Sequence, residues 1–501
     1  MSGRRRPPAC RLAADVRASS VPWVTTTRAV ARVPVRRALA AVGTATVLVA
    51  ATSCSSSPSV SDERSVTSQS LSHTCDQVQC AGTLDGAAYQ VRLPSHWNGT
   101  LLIWSHGYRQ AQPAPPDFSP VETAATAAPT EDVAKALLDQ GYALVGSAYA
   151  KNGWAVDDGV KAAEGLYGWF TANEGKPART YVWGESLGGL ITQTLAEKEP
   201  WVSGAAPLCG VLAGANQTLD LALDGAFALK VLLDPSLKLT GYTSYDEGVA
   251  AWKGAAKVVS SAATTGGNEG LAKLLLVAAM VKPSTKTATQ DGSTPTSQLT
   301  AEATALLTGL GYGTFDRWEF EQRVGGNPST NDGVDYSARV SAGDRALIDA
   351  LAPGKLSAWL AAMAAAPKVS ADPAARVKAD ALGNPTGNLK VPTVTMHTEF
   401  DDTVPVFEET VFADRVKASK DRKSDAYQLY TAPPAHYTAA PYGAGHCNFT
   451  TAELTGSVKV LDQWVRTGAS PWSQQTIADF GSPTGLDLAY SPPPWPGSST
   501  S

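Results

Sequence analysis

Thr180-Tyr181-Val182-Trp183-Gly184-Glu185-Ser186-Leu187-Gly188-Gly189-Leu190 is the stretch that decides the fold. Thr180–Trp183 is short, β-branched and aromatic, and reads as a buried strand. Leu187 to Glu197 carries helical spacing. The chain must therefore pass from strand to helix within the five residues Gly184-Glu185-Ser186-Leu187-Gly188. Gly-x-Ser-x-Gly recurs by chance in a chain with 44 glycines. Here it has a strand before it and a helix after it, which is the context that gives the pattern chemical meaning. A turn this sharp lifts the Ser186 hydroxyl clear of a sheet. Gly184 and Gly188 leave room where strand and helix approach, and the helix N-terminus places a positive dipole end below the hydroxyl.

Outward from that turn, short apolar runs alternate with helical segments. The strands expected are Ala88–Leu93, Thr100–Ser105, Tyr142–Ala148, Gly204–Leu208, Val391–His397 and Tyr427–Thr431 besides Thr180–Trp183. Successive apolar positions suit strands buried on both faces of a parallel sheet. The helices expected are Thr130–Gln140, Asp157–Ala172, Leu187–Glu197, Phe407–Ser419 and Ala452–Arg466. Such alternation implies a doubly wound α/β sheet. It breaks over residues 211–388, too long for a loop. That segment is expected to be an inserted, mainly helical cap, with helices at Glu269–Val281 and Thr300–Thr308 and a loop at Gly325–Asn331. Residues 73–210 and 389–470 then form the two parts of the core. The Pro/Ser-rich residues 471–501 are expected to pack loosely or not at all.

On the Ser186 turn and its βα setting, the chain resembles the α/β-hydrolase superfamily, in which the nucleophile is followed in chain order by an acid and then a histidine. The resemblance implies a serine hydrolase acting through an acyl-enzyme, without cofactor or metal. The acid belongs after a late strand, where Thr398-Glu399-Phe400-Asp401-Asp402-Thr403-Val404-Pro405 follows Val391–His397. The family's frequent Asp separated by two intervening residues from a Val-Pro pair selects Asp401, with Asp402 and Glu399 as competitors. An acid here also has the ordinary reading of a helix N-cap, for which Asp402 or Thr403 is better placed. The base belongs after the last strand, in Gly443-Ala444-Gly445-His446-Cys447-Asn448. Of the other five histidines, His436 competes. His106 is expected to be structural, holding its loop. An oxyanion hole is implied from the backbone N–H of Leu187 and that of Tyr108, in the His106-Gly107-Tyr108 loop after Thr100–Ser105.

Cys75, Cys80, Cys209 and Cys447 remain once Cys10 and Cys54 are assigned to the N-terminal segment. Three pairings are open. The short spacing suits Cys75–Cys80, which leaves Cys209–Cys447. Tannases and feruloyl esterases are similar in carrying a Cys after the catalytic His. Their partner Cys directly precedes the nucleophile, where this chain has Glu185. Cys209, ending the next strand, is the alternative partner.

Residues 1–53 hold nine Arg and one acid, leaving 32 basic and 45 acidic residues, a net charge of −13. An acidic body offers no footprint for a phosphate backbone, so nucleic acid is excluded as a partner. Arg36-Arg37 precede the apolar run 38–51, which is short for a membrane span and suits an export signal over residues 1–53. Ala51-Thr52-Ser53-Cys54 followed by a Ser-rich linker to residue 72 fits either a lipoprotein signal, with Cys54 lipidated as a membrane anchor, or a plain signal peptide. The expected location is outside the cell, secreted or on its surface. His-Glu-x-x-His, paired Cys-x-x-Cys and P-loop patterns are absent from the sequence, and Gly309, Gly311 and Gly313 do not make a dinucleotide fingerprint. The expected substrate is a small-molecule or oligomeric carboxylic ester. The alternative is an exopeptidase, with Asp316, Glu319 and Glu321 of the insertion meeting a substrate ammonium. Trp252, Phe315, Trp318, Phe320 and Trp359 are read either as cap packing or as an apolar lid over the substrate.

Overall fold

The chain divides into two units, residues 1–64 and 65–501. The computed structural model describes residues 79–287, 289–290, 292–432, 445–471 and 485–498, all in the second. The expected export signal, Cys54, the Ser-rich linker, Cys75 and His436 lie outside the described residues.

Eight strands make one sheet: β1 (Gln79–Leu84), β2 (Ala87–Arg92), β3 (Thr100–Ser105), β4 (Ala143–Ser147), β5 (Arg179–Glu185), β6 (Gly204–Leu208), β7 (Thr393–Thr398) and β8 (Ala426–Thr431). Their order is β1-β2-β4-β3-β5-β6-β7-β8. The pairs β1–β2 and β2–β4 are antiparallel, and every other pair is parallel. Strand β1 was not anticipated. Its sequence, QCAGTL, has neither an apolar run nor clean alternation, because it is an edge strand paired on one side only.

The inner strands are buried throughout, and alternate side chains feed two cores. Leu101, Ile103 and Val182 pack under α2 (Val156–Asn173) and α3 (Leu187–Lys198), against Phe170, Leu190 and Ile191. Leu102, Trp104 and Trp183 face the other way, toward α1 (Glu131–Asp139) and α13 (Thr451–Thr467), against Leu137, Val458 and Leu461. Two buried faces explain why these strands read as continuous apolar runs.

Between β6 and β7 lie eight α-helices: α4 (Gly214–Leu232), α5 (Tyr245–Thr264), α6 (Gly267–Val281), α7 (Pro295–Tyr312), α8 (Phe315–Val324), α9 (Ala342–Leu351), α10 (Leu356–Ala365) and α11 (Pro373–Ala381). Helices α4–α7, α9 and α10 build an aliphatic core around Leu223, Leu229, Leu274, Leu276 and Ile348, while Phe320 and Val324 of α8 and Ala375 and Ala379 of α11 pack into the core under α2 and α3. Helix α12 (Glu408–Ala418) follows β7. Among the described residues no helix is long and apolar enough to cross a membrane.

The tail departs from expectation over residues 485–498. Leu486 bridges to Thr431 at the sheet edge, Tyr490 packs on Tyr430, and Trp495 stands edge-on to Phe407. Its aromatic residues, rather than its prolines, decide that it packs. Residues 472–484 and 499–501 lie outside the described residues.

Candidate active site

Ser186 sits between β5 and α3 with φ 58° and ψ −124°, a backbone conformation costly for a residue with a side chain. It is held there from both sides. Its N–H donates to Leu208 O at 3.0 Å, and its carbonyl accepts from Gly189 and Leu190. A side chain at Gly188 would run into the Ser105 carbonyl, so only glycine lets α3 start this close to β3. Ser186 is 8% exposed.

The acid loop after β7 and the loop before α13 supply its partners. His446 Nε2 lies 2.7 Å from Ser186 Oγ. On the other side of the ring, Nδ1 lies 3.0 and 2.9 Å from the two carboxylate oxygens of Asp401. Asp401 is 2% exposed, and its Oδ1 also accepts the N–H groups of Thr403 and Val404 at 2.9 and 2.8 Å. Of the three acids weighed from sequence, the structure brings Asp401 to the histidine. Asp402 instead accepts from the Thr403 hydroxyl, and Glu399 lies near Asp487 with its carboxyl pushed up to about 7, chiefly by burial. Burial alone would raise the Asp401 carboxyl too. The His446 contact, the His397 ring and the loop N–H groups outweigh it and hold Asp401 below the ordinary value. Burial opposes protonation of His446, but Asp401 wins and raises the ring above its ordinary value.

The loop after β3 closes the site from the other side. A Cβ on Gly107 would stand 3.1 Å from Ser186 Cβ and 3.7 Å from its Oγ, so the backbone of this loop passes close beside Ser186. Among the described residues, the N–H groups of Tyr108 and Leu187 have no hydrogen-bond partner. His106 stacks on Tyr149 at 3.9 Å between centroids, and its Nδ1 lies 2.7 Å from Gly107 O. Burial lowers its pKa to about 4, so it is a neutral brace for the loop.

Cys209 and Cys447 form a disulfide with Cα atoms 5.6 Å apart, closing a loop of 238 residues. Cys209 extends the β6 end, its N–H on Met396 O at 2.7 Å, so the bond ties the His446 loop to the sheet end that carries Ser186. Cys80 is also disulfide-bonded; its expected partner, Cys75, lies outside the described residues. Replacing Cys209 and Cys447 together by Ala is expected to lower stability by about 2–5 kcal/mol. The same variant should lower kcat by roughly tenfold or more, since a slack His446 loop loses alignment. Thermal unfolding and steady-state kinetics check both effects.

A cavity of about 1070 Å³, counting the space at its mouth, opens from Ser186 into the cap. Its walls are aliphatic: Leu219, Ala222 and Leu229 from α4, Val259 from α5, Val277 and Val281 from α6, Leu306 and Leu310 from α7. Polar groups gather at the catalytic end, where Tyr108, Tyr312 and Asp402 stand. The aromatic lid considered from sequence does not form. Phe315 and Trp318 pack with Tyr245, Trp252 packs on Phe315, Phe320 packs on Trp154, and Trp359 lies under Lys273. Nor do the three cap acids form a patch for an ammonium. Glu319 pairs with Arg323 at 2.9 Å and Glu321 with Arg317 at 3.7 Å. Asp316 accepts the Tyr108 hydroxyl at 2.9 Å, and burial pushes it up to about 7.

No family model matches the chain. The chain is 24% identical over 427 residues to an o-phthalyl amidase of Xanthobacter agilis, covering 77% of this chain and 87% of that one. Among solved structures it is similar to feruloyl esterase B of Aspergillus oryzae, at 16% identity and a TM-score of 0.39, covering 78% of this chain and 82% of that chain. An esterase of Pyrococcus furiosus matches at 11% identity and a TM-score of 0.33, covering 78% and 90%. The fold itself is settled by the sheet: its strand order, its one antiparallel strand between β1 and β4, and the Ser186 turn between β5 and α3 make this an α/β-hydrolase fold.

Proposed function

We propose that the protein is a serine hydrolase that cleaves carboxylic esters bearing an apolar group. One observation carries the reading: an unbroken hydrogen-bonded chain from Ser186 through His446 to Asp401, set at the mouth of an aliphatic cavity. His446 Nε2 takes the Ser186 proton as Oγ attacks the carbonyl carbon. The carbonyl π pair moves onto oxygen, which the N–H groups of Leu187 and Tyr108 would stabilise. Collapse breaks the bond to the alcohol, and His446 returns the proton to the departing oxygen. Water, deprotonated by His446, then attacks the acyl-enzyme, and collapse breaks the bond to Ser186 Oγ as His446 returns the proton to it and the acid departs. Asp401 fixes the His446 tautomer and stabilises the imidazolium formed in each half.

A second reading, amide hydrolysis through the same residues, is favoured by the similarity to an amidase. For the exopeptidase alternative, Glu319 and Glu321 are already paired within the cap, which leaves Asp316 of the three acids to meet a substrate ammonium. The two readings separate on p-nitrophenyl esters against the matched nitroanilides. Ester turnover in excess supports the first reading, and turnover of anilides alone would exclude it. The cavity makes a further demand. With acyl chains lengthened from acetyl to hexanoyl, kcat/KM is expected to rise. Ala222→Trp should then lower kcat/KM for the hexanoyl ester roughly tenfold or more while leaving the acetyl ester within a few-fold. An equal loss for both would place the apolar group elsewhere.

Export belongs to the same proposal. The Cys209–Cys447 disulfide is consistent with an oxidising compartment, as is the Arg36-Arg37 apolar segment in the sequence. Lipidation of Cys54 would anchor the exported chain to a membrane, and mass analysis of the N-terminal peptide checks it.

A further inference from the structure

His397 lies beneath the acid loop, fully buried on β7, and the mechanism above does not use it. Both of its ring nitrogens face acceptors. Nε2 is 2.9 Å from the Val404 carbonyl, which can only accept, so Nε2 carries a proton. Nδ1 is 3.3 Å from Glu409 Oε1 on α12. The other oxygen of Glu409 already accepts Gln428 Nε2 at 2.6 Å and the Thr395 hydroxyl at 2.8 Å. A carboxylate serves those donors and leaves Oε1 for an Nδ1–H. The ring then holds two protons and a positive charge. That charge sits 3.7 Å from Asp401 Oδ2. Val404 completes the link, because the residue whose carbonyl holds His397 also donates its N–H to Asp401 Oδ1.

We propose that His397 is a positioning residue for the catalytic carboxylate: kept as an imidazolium between Glu409 and Asp401, it fixes the charge and orientation of the group that orients His446. The proposal rests on the Ser186–His446–Asp401 reading.

The groups that face His397 can be enumerated. Asp401, with Asp402 beyond it, comes from the acid loop, and Glu408 and Glu409 come from α12. His446 faces it across Asp401, and Arg415 acts on Glu408. From β8, Tyr430 lies near Glu409, and burial raises its hydroxyl out of the neutral range. Glu408 has its own donors, Ala213 N–H at 3.0 Å and the Thr218 hydroxyl at 2.9 Å, so Glu409 is the carboxylate that holds the ring. The buried arrangement is a row of alternating charge: Glu409, His397, Asp401, and His446 when protonated.

A fixed positive charge behind Asp401 disfavours a second one in front of it, so His397 works against protonation of His446. Removing the charge frees Asp401 to attract the His446 proton more strongly. The base then stays protonated to higher pH, and the acid limb of kcat/KM moves up.

The experiment compares that limb in wild type, Glu409→Gln and the double variant His397→Gln/Glu409→Gln. The double variant is used because His397→Gln alone would strand an unpaired buried carboxylate and fail to fold. Glu409→Gln keeps the shape and withdraws the charge that holds the second proton on His397. Both are expected to shift the limb upward by on the order of half a pH unit. A folded variant with a lower kcat but a limb at the wild-type pH would mean that His397 and Glu409 serve packing only, and would overturn the proposal. Each assay includes Ser186→Ala. Activity that survives that substitution sinks the acyl-enzyme reading and this proposal with it. Activity that needs Ser186 and shows an unmoved limb sinks the role of His397 alone.

Discussion

Ser186→Ala is expected to lower kcat by roughly four to six orders of magnitude while leaving the protein folded. The hydroxyl's only close polar partner among the described residues is His446, so its removal strands no buried donor. The backbone strain at φ 58° is no greater for Ala, since Ser and Ala both carry a Cβ. Thermal unfolding should therefore stay near wild type as turnover is lost. A residual rate above that of water remains, because oxyanion donors and the cavity persist in the variant. Wild-type kcat/KM itself should fall on the acid side with a midpoint above the ordinary histidine value of about 6.5, since Asp401 raises His446 and only the neutral ring can act as base.

Asp401→Asn is expected to be nearly as damaging, at about 10⁴ in kcat. The local hydrogen bonds give the reason. Thr403 and Val404 both donate N–H groups to Oδ1, so an amide at this position must turn its oxygen to them. Its NH₂ then faces His446 Nδ1. A donor there makes Nδ1 the acceptor and places the imidazole proton on Nε2, facing Ser186 Oγ. In that tautomer the ring cannot take the serine proton. KM should change little, because Asp401 acts on His446 rather than on the apolar group of the substrate. A loss in KM with kcat preserved would assign Asp401 to binding instead. Asp402→Asn is the internal comparison, since Asp402 accepts from the Thr403 hydroxyl and acts on His446 only through its charge, so its replacement leaves the tautomer intact.

The parts of this site that were legible in the sequence share one property: their signals are local. The Ser186 turn needs a strand, two glycines and a helix in contiguous residues, and all are visible in eleven positions. The order of acid and histidine could be checked because each follows a strand that reads as an apolar run. What escaped depends on contacts between distant segments. His397 looks like an ordinary strand residue until α12 brings Glu409 to its Nδ1 and the acid loop brings Val404 to its Nε2. The packing reading of the cap aromatics holds, but the lining of the cavity was not legible, for a related reason. Aromatic residues draw attention in a helical insertion, but large flat rings fill the gaps between cap helices, and the aliphatic residues Leu219, Val277 and Leu310 are left to line the space. Edge strand β1 escaped because a strand paired on one side has little need of apolar patterning. Residues 485–498 escaped because Tyr490 and Trp495 find Tyr430 and Phe407 only once the sheet edge exists.

The disulfide adds a constraint that neither local sequence nor packing supplies. Its two ends sit in the His446 loop and at the β6 terminus, where the Leu208 carbonyl holds the Ser186 N–H. The covalent tie and the charge row behind Asp401 thus act on the same object, the His446 ring, from opposite sides.

The central claim is that Ser186 is an activated nucleophile. Reaction of the folded protein with a fluorophosphonate probe, followed by peptide mass mapping, tests it before any natural substrate is known. One adduct on Ser186, lost in Ser186→Ala and abolished by prior unfolding, is the predicted result. An adduct on another serine, or none on the folded protein, would contradict it.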